Sequence, residues 1–273
     1  MPGQILGDRY EVEKQLGKRS GRWTLLARDL TTDTPVILKL LFMDEEMHQD
    51  DLKLFTREVQ TLQTLDHPNT PNYIGYFEID LAQEGKALAL IQSYIEGYSL
   101  DHYLKLGRLL SQQEAIWIAI AALNILIYLH SHEPPIIHRD IKPGNIMLSK
   151  QPGETGPRVS LVDFGSVKSF TVSDATSFTL VGTDGFMPPE QMGRRAVRAS
   201  DLYGLGMSLV TAMSGLEPAQ LPHRGLKVDL EQVEFNPPLS SSFMAWLKQM
   251  IEPDLDRRFS SAQEALQALK QVS

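Results

Sequence analysis

His138-Arg139-Asp140-Ile141-Lys142-Pro143-Gly144-Asn145 is the stretch on which the reading of this chain turns. A carboxylate, an ammonium and an amide sit within a few residues of each other, and Pro143 and Gly144 break any regular element there. Asp163-Phe164-Gly165 follows, and then Pro188-Pro189-Glu190. Each short motif alone reads as a surface turn or a strand end. Their order and spacing together are specific.

Working outward, residues 115–129 form the most apolar run, with Ser111 and Glu114 ahead of it as a capping-box signature. That run is shorter than the roughly 18 to 20 residues a spanning helix needs, so it reads as a buried core helix. Residues 200–214, 241–251 and 260–272 carry further helical patterns. Toward the N-terminus the pattern changes. Residues 10–16, 23–29, 35–42, 74–80 and 87–94 are short runs rich in β-formers, separated by turn residues. Between them, Leu52, Phe55, Val59 and Leu62 recur at helical spacing behind Asp50 and Asp51. Strands first and helices after predict an α+β chain of two lobes, with the boundary just after residue 94. Residues 151–157, rich in Pro and Gly, read as a surface hairpin tip.

The bulk numbers limit the classes of function. The chain has 273 residues, 26 basic and 34 acidic side chains, a formal charge of −8 and no cysteine. Thiolate metal sites and thiol nucleophiles are excluded, and a reducing compartment fits. The acidic balance argues against nucleic acid as partner, despite a local patch of Arg194, Arg195 and Arg198. The first ten residues show no signal-peptide pattern, so a cytoplasmic protein without a membrane segment is expected.

The quoted motifs, in this order, resemble the catalytic loop, the DFG element and the APE element of protein kinases. The chain looks like a eukaryotic-like serine/threonine protein kinase of the bacterial type, over about residues 10–269. The resemblance implies a two-lobed kinase fold across residues 1–273: a small antiparallel-sheet N-lobe with one regulatory helix (10–96) and a larger, mainly helical C-lobe (97–269). It implies ATP and Mg²⁺, or Mn²⁺, as cofactors and proteins with Ser/Thr acceptors as substrates. Asp140 would accept or orient the substrate hydroxyl proton, Lys142 would meet the γ-phosphate, and Asn145 with Asp163 would hold the metal. Carboxylate and amide oxygens are the hard ligands Mg²⁺ prefers. Val36-Ile37-Leu38-Lys39 matches the third-strand element, making Lys39 the ligand of the α- and β-phosphates. Glu58 lies on the apolar face of its helix, where a carboxylate needs a cation, and Lys39 is the one the family supplies. Leu62, Tyr73, His138 and Phe164 fall at hydrophobic-spine positions.

The resemblance also places an adenine pocket. Leu16, Gly17 and Thr24 belong to the nucleotide cover, Ile37 stands where a small alanine is usual, and Gln92 is the gatekeeper. Ser93 and Ile95 offer main-chain groups to the adenine edge, and Met147 closes the pocket. The glycine pattern is degenerate: of residues 17–24 only Gly17 falls in place, with Arg19 and Arg22 at the second and third glycine positions. Those arginines either reach phosphate or face solvent. The expectation is that they face solvent, with ATP binding unchanged or improved when they become glycine. In the activation segment Thr176, Ser177 and Thr179 are the phosphosite candidates, with Arg139 as their cation. Thr183 matches the threonine that packs on the catalytic Asp and Lys, Asp201 the prop of the catalytic loop, and Glu190 with Arg258 the family's ion pair. Residues 216–238 show little helical period where the family has one more helix. The rival reading is a pseudokinase scaffold that signals by conformation.

Overall fold

The computed structural model describes residues 2–19, 21–43, 49–81, 85–150, 156–166, 185–193 and 195–272. The chain divides into two compact units, Met1–Ile95 and Glu96–Ser273.

The first unit is a six-stranded antiparallel sheet with one helix. Its strands are β1 (Ile5–Leu6), β2 (Tyr10–Arg19), β3 (Arg22–Asp29), β4 (Thr34–Phe42), β5 (Tyr73–Leu81) and β6 (Gly85–Ser93), in the spatial order β1-β2-β3-β4-β6-β5. Alternation along each strand sorts the side chains. Register aligns Val12 with Ala27 and Val36, and Leu25 with Leu38 and Ile91, on one buried face. The sheet curls over that face until Tyr10 stacks on Phe77 at 6.0 Å. The opposite face carries Gly17, Thr24, Lys39 and Leu90 in one cross-strand row, with Ile37 beside Gln92 in the next. A slip of one residue would drive Lys39 into the apolar core, so the register is fixed by burial. Helix α1 (Gln49–Thr64) packs against β4 and β5, burying Leu54, Phe55, Glu58, Val59 and Leu62.

In the second unit, α2 (Leu100–Lys105) precedes the central helix α3 (Gln112–His130), and α4 (Pro189–Met192), α5 (Arg198–Ser214), α6 (Ser241–Met250) and α7 (Ala262–Leu269) follow. Strands β7 (Tyr98–Ser99), β8 (Ile146–Ser149) and β9 (Arg158–Leu161) form a three-stranded sheet, and β10 (His223–Arg224) pairs with β11 (Lys227–Val228). The capping box of α3 is formed: the Ser111 hydroxyl accepts from the Glu114 N–H, and the Glu114 carboxylate accepts from the Ser111 N–H. The helix starts earlier and is longer than the apolar run alone suggests. At 19 residues it is long and apolar enough, by length and composition, to cross a membrane, and over half of it is buried inside this unit. It packs against α5, α7 and β9. Residues 216–238 hold the β10–β11 pair and two 3-10 turns, Pro218–Gln220 and Leu230–Gln232, in place of a further α-helix.

Helix α5 reaches the loop after α3 because Gly204 lets it. A Cβ at that position would lie 2.7 Å from the Ile141 carbonyl oxygen, closer than any side chain tolerates. This contact sets the height of the loop that carries Asp140.

Candidate active site

In the first unit, Lys39 Nζ donates to Glu58 Oε1, a pair with side-chain exposures of 15% and 6%. The strand register turns Lys39 toward α1, and helical periodicity turns Glu58 toward the sheet. A carboxylate this buried is tolerable because a cation meets it. Around them, Gln92 and Ile37 are buried and Thr24 is half-buried. Leu16 is 49% exposed and sits at a bulge between Gln15 and Gly17. Gly17 is exposed, and a Cβ there would meet nothing nearer than Thr24 Cβ at 3.8 Å, so the hairpin itself does not require glycine. Ser93 is tied back to Asn72: its N–H donates to the Asn72 carbonyl and its hydroxyl accepts the Asn72 N–H, both at 2.9 Å. Ile95 is half-buried at the end of the unit.

Arg22 departs from both sequence-based alternatives. Its Nη2 donates to Asp51 Oδ1 on α1 at 2.5 Å, so the guanidinium faces an acidic partner rather than open solvent. The reason is register: Arg22 lies opposite Leu41, on the sheet face that α1 covers. The Arg19 side chain lies outside the described set.

In the second unit, Asp140 Oδ2 accepts from Lys142 Nζ at 2.7 Å and from Asn145 Nδ2 at 3.1 Å, and Asn145 Nδ2 also donates to the Asp140 carbonyl at 2.8 Å. A charge-assisted bond and an amide thereby fix the carboxylate's plane. The 3-10 turn Pro143–Asn145 brings the amide within reach. The Val162 N–H donates to the Asn145 carbonyl at 3.1 Å, joining this loop to the segment that leads into Asp163. His138 Nε2 donates to the Val162 carbonyl at 3.1 Å, and its ring lies 4.9 Å from that of Phe164. Arg139 and Asp163 both adopt left-handed backbone, with φ of 69° and 68°. Non-glycine residues hold that conformation only where neighbours over-determine it, and such positions gather at functional sites. Met147 is half-buried on β8, opposite Ser160.

Beneath this loop, Asp201 is fully buried and accepts the N–H groups of His138 and Arg139 at 3.0 and 2.8 Å. Glu190 meets Arg258 through two bonds, at 2.7 and 3.1 Å, and Arg258 also donates to the carbonyls of Ala199 and Glu252. Burial pushes the nearby Tyr203 phenol above its ordinary pKa, partly offset by Arg258.

Three contributors escaped the motif-based reading. His130 Nε2 donates to Asp201 at 2.8 Å, Gln191 Nε2 donates to the Arg139 carbonyl at 2.7 Å, and the Ser200 hydroxyl donates to Glu190 at 2.8 Å. His130 had a signal: a polar ring closing an otherwise apolar helix face needs a partner, as Glu58 did. The other two have none short of the fold. Thr176, Ser177, Thr179 and Thr183 lie outside the described residues, as does Arg194.

A metal ion would find oxygen donors of the right kind. Because the Asn145 side-chain nitrogen is committed to Asp140, its side-chain oxygen Oδ1 is the group that would ligate, the main-chain carbonyl being taken by the Val162 N–H. Among the described residues no group of three or more His, Cys, Asp or Glu could hold a metal without further ligands. A cation at Asp163 and Asn145 would therefore share its shell with phosphate oxygens, as Mg²⁺ at nucleotide sites does.

Comparison with known proteins agrees with this geometry. Residues 10–270 match the model of the protein kinase domain. The chain is 32% identical over 280 residues to serine/threonine-protein kinase B of Synechocystis sp., covering 97% of this chain and 47% of that protein. It is 32% identical over 283 residues to serine/threonine-protein kinase PknA of Nostoc sp., covering 98% and 48%. Against serine/threonine-protein kinase PrkC of Bacillus subtilis, identity is 29% over 220 residues, covering 79% and 32%. The chain thus spans about half the length of the cyanobacterial relatives it matches. A buried lysine–glutamate pair on a curled sheet, a braced Asp-Lys-Asn loop on a helical unit, and a match running almost end to end have one common explanation: this chain belongs to the protein kinase domain family.

Proposed function

We propose that the chain is a serine/threonine protein kinase that transfers the γ-phosphate of ATP to protein hydroxyls. The observation that carries the reading is the braced Asp140 carboxylate, held by Lys142 and Asn145 on one oxygen. Held this way, Asp140 takes the proton of an attacking serine or threonine hydroxyl, or orients it in line with phosphorus. Lys142 stabilises charge on the transferring phosphoryl group, and Lys39, steadied by Glu58, neutralises the α- and β-phosphates. Asp163 and Asn145 would hold Mg²⁺ or Mn²⁺, which when bound neutralises phosphate charge and orients the triphosphate. Main-chain groups of Ser93 and Ile95 would read the adenine edge, with Gln92, Ile37, Leu16, Gly17, Thr24 and Met147 shaping its surroundings. A cytoplasmic setting goes with ATP as substrate.

Two features favour the alternative, a pseudokinase that binds nucleotide weakly or not at all: the glycine cover is lost except for Gly17, and bulky Ile37 stands where the family has a small residue. Against it, Lys39, Glu58, Asp140, Lys142, Asn145 and Asp163 are all present. Incubation with Mg²⁺-ATP and a generic basic protein, followed by phosphosite mass spectrometry, separates the two. Phosphoserine or phosphothreonine on the substrate supports the enzyme. Phosphate on nothing, with the protein folded, overturns it in favour of the scaffold.

A further inference from the structure

At the end of the β2–β3 hairpin, arginines stand at two of the cover's glycine positions, and one of them, Arg22, is tied to a neighbouring helix. Arg22 is the first residue of β3, on the same sheet face as Thr24 and Lys39. Besides its bond to the Asp51 carboxylate, Arg22 Nη2 donates to the Asp51 carbonyl at 3.3 Å. Asp51 is in the first turn of α1, where the helix's N-terminal partial charge also favours a carboxylate. Seven residues later the same helix presents Glu58 to Lys39. Seven residues are about two helical turns, so both acidic groups lie on one side of α1, facing one side of the sheet. The hairpin end is braced from its other side too. The Phe42 N–H donates to the Gly21 carbonyl at 2.9 Å, Lys18 Nζ sits 4.6 Å from the centre of the Trp23 ring, and Trp23 packs edge-on against Phe42 at 4.7 Å.

We propose that Arg22 is a positioning residue: its ion pair with Asp51 ties the nucleotide-covering hairpin to α1, so that the cover and the Glu58–Lys39 pair hold their geometry as one body. Glycine at this position has no side chain with which to make such a tie. The proposal rests on the kinase reading for its consequence in catalysis, but the tie itself is testable without turnover.

The test is a double-mutant cycle of Arg22→Gln, Asp51→Asn and the combination, read by hydrogen exchange of the α1 amides and by ATP titration of initial rates. Each single variant should speed exchange in α1 about threefold, the scale of a half-exposed ion pair, and raise the ATP KM by a similar factor with the melting temperature nearly unchanged. The double variant should match either single one, because the interaction can be lost only once. Additive effects, or α1 exchange unchanged in both single variants, would overturn the proposal. So would a raised KM in Arg22→Gln with an unchanged or lowered KM in Asp51→Asn, which is the pattern of an arginine that binds phosphate directly. A wild-type chain without turnover would contradict the kinase reading, while the exchange data would still decide the tie.

Discussion

Lys39 and Glu58 show how much one buried charge constrains a site. Either residue alone in this environment is costly, and together they hold an ammonium at a fixed point on the sheet. Lys39→Met should therefore reduce phosphoryl transfer by at least about 100-fold, the scale of removing one charge-stabilising group, while circular dichroism still reports a folded chain. Near-wild-type turnover in a folded Lys39→Met protein would remove Lys39 from the site. Glu58 was legible in the sequence because a carboxylate on an apolar helix face demands a cation. The partner of Arg22 was not: Asp51 is 29 residues away, and only the strand register and the seating of α1 bring the two together. The same holds for Ser200 and Gln191, whose partners are set by how α4 and α5 lie over the loop.

Elements were easier to read than their ends. The β-rich first third, the helix carrying Glu58 and the capping box of α3 follow from local pattern. The hairpin strands run on to Arg19 and back from Arg22 because their residues keep pairing where the sequence reads as loop, with Gly21 at φ 66° in the turn. Strand β1 is too short to show a period at all. Two ties between elements yield stability predictions. Arg9, just before β2, meets Asp29 at the end of β3 through bonds of 2.8 and 2.6 Å, and the Arg9 guanidinium holds the Asp29 carboxyl well below the usual carboxylate range, against the opposing effect of burial. A depressed folded-state pKa contributes stability above the unfolded value of about 3.9 and loses it as pH falls from there. Arg9→Gln should thus melt below wild type at pH 7, with the gap closing below about pH 4. A gap that stays constant between pH 7 and pH 3 would contradict this account. In the second unit, Arg258→Met leaves Glu190 buried without its guanidinium and should cost about 3–5 kcal/mol, measured by urea denaturation. A loss under 1 kcal/mol would mean that the pair is not a structural anchor.

At the scale of the whole molecule, the proposed function divides the work between the two units: Lys39 of the first would neutralise phosphate, and Asp140, Asn145 and Asp163 of the second would handle the proton and the metal. In the sequence the hydrophobic period changes from two to nearly four just after residue 94, and the two compact units part between Ile95 and Glu96. Hydroxyls are concentrated between Asp163 and Glu190, and Arg139 stands beside Asp140. A phosphate on Thr176, Ser177 or Thr179 would pair with that arginine, so incubation with Mg²⁺-ATP should place phosphate there and phosphatase treatment should lower activity. Equal activity in both states would remove the switch and leave the kinase reading intact. The most direct test of the reading itself is transfer of labelled γ-phosphate from ATP to a basic protein substrate, with wild type and Asp163→Asn compared at equal folded concentration. On the proposed assignment Asp163 holds the metal, a contribution of several kcal/mol to the transition state, so a loss of about 1000-fold or more is predicted. Equal transfer by both proteins, or none by wild type, would contradict it.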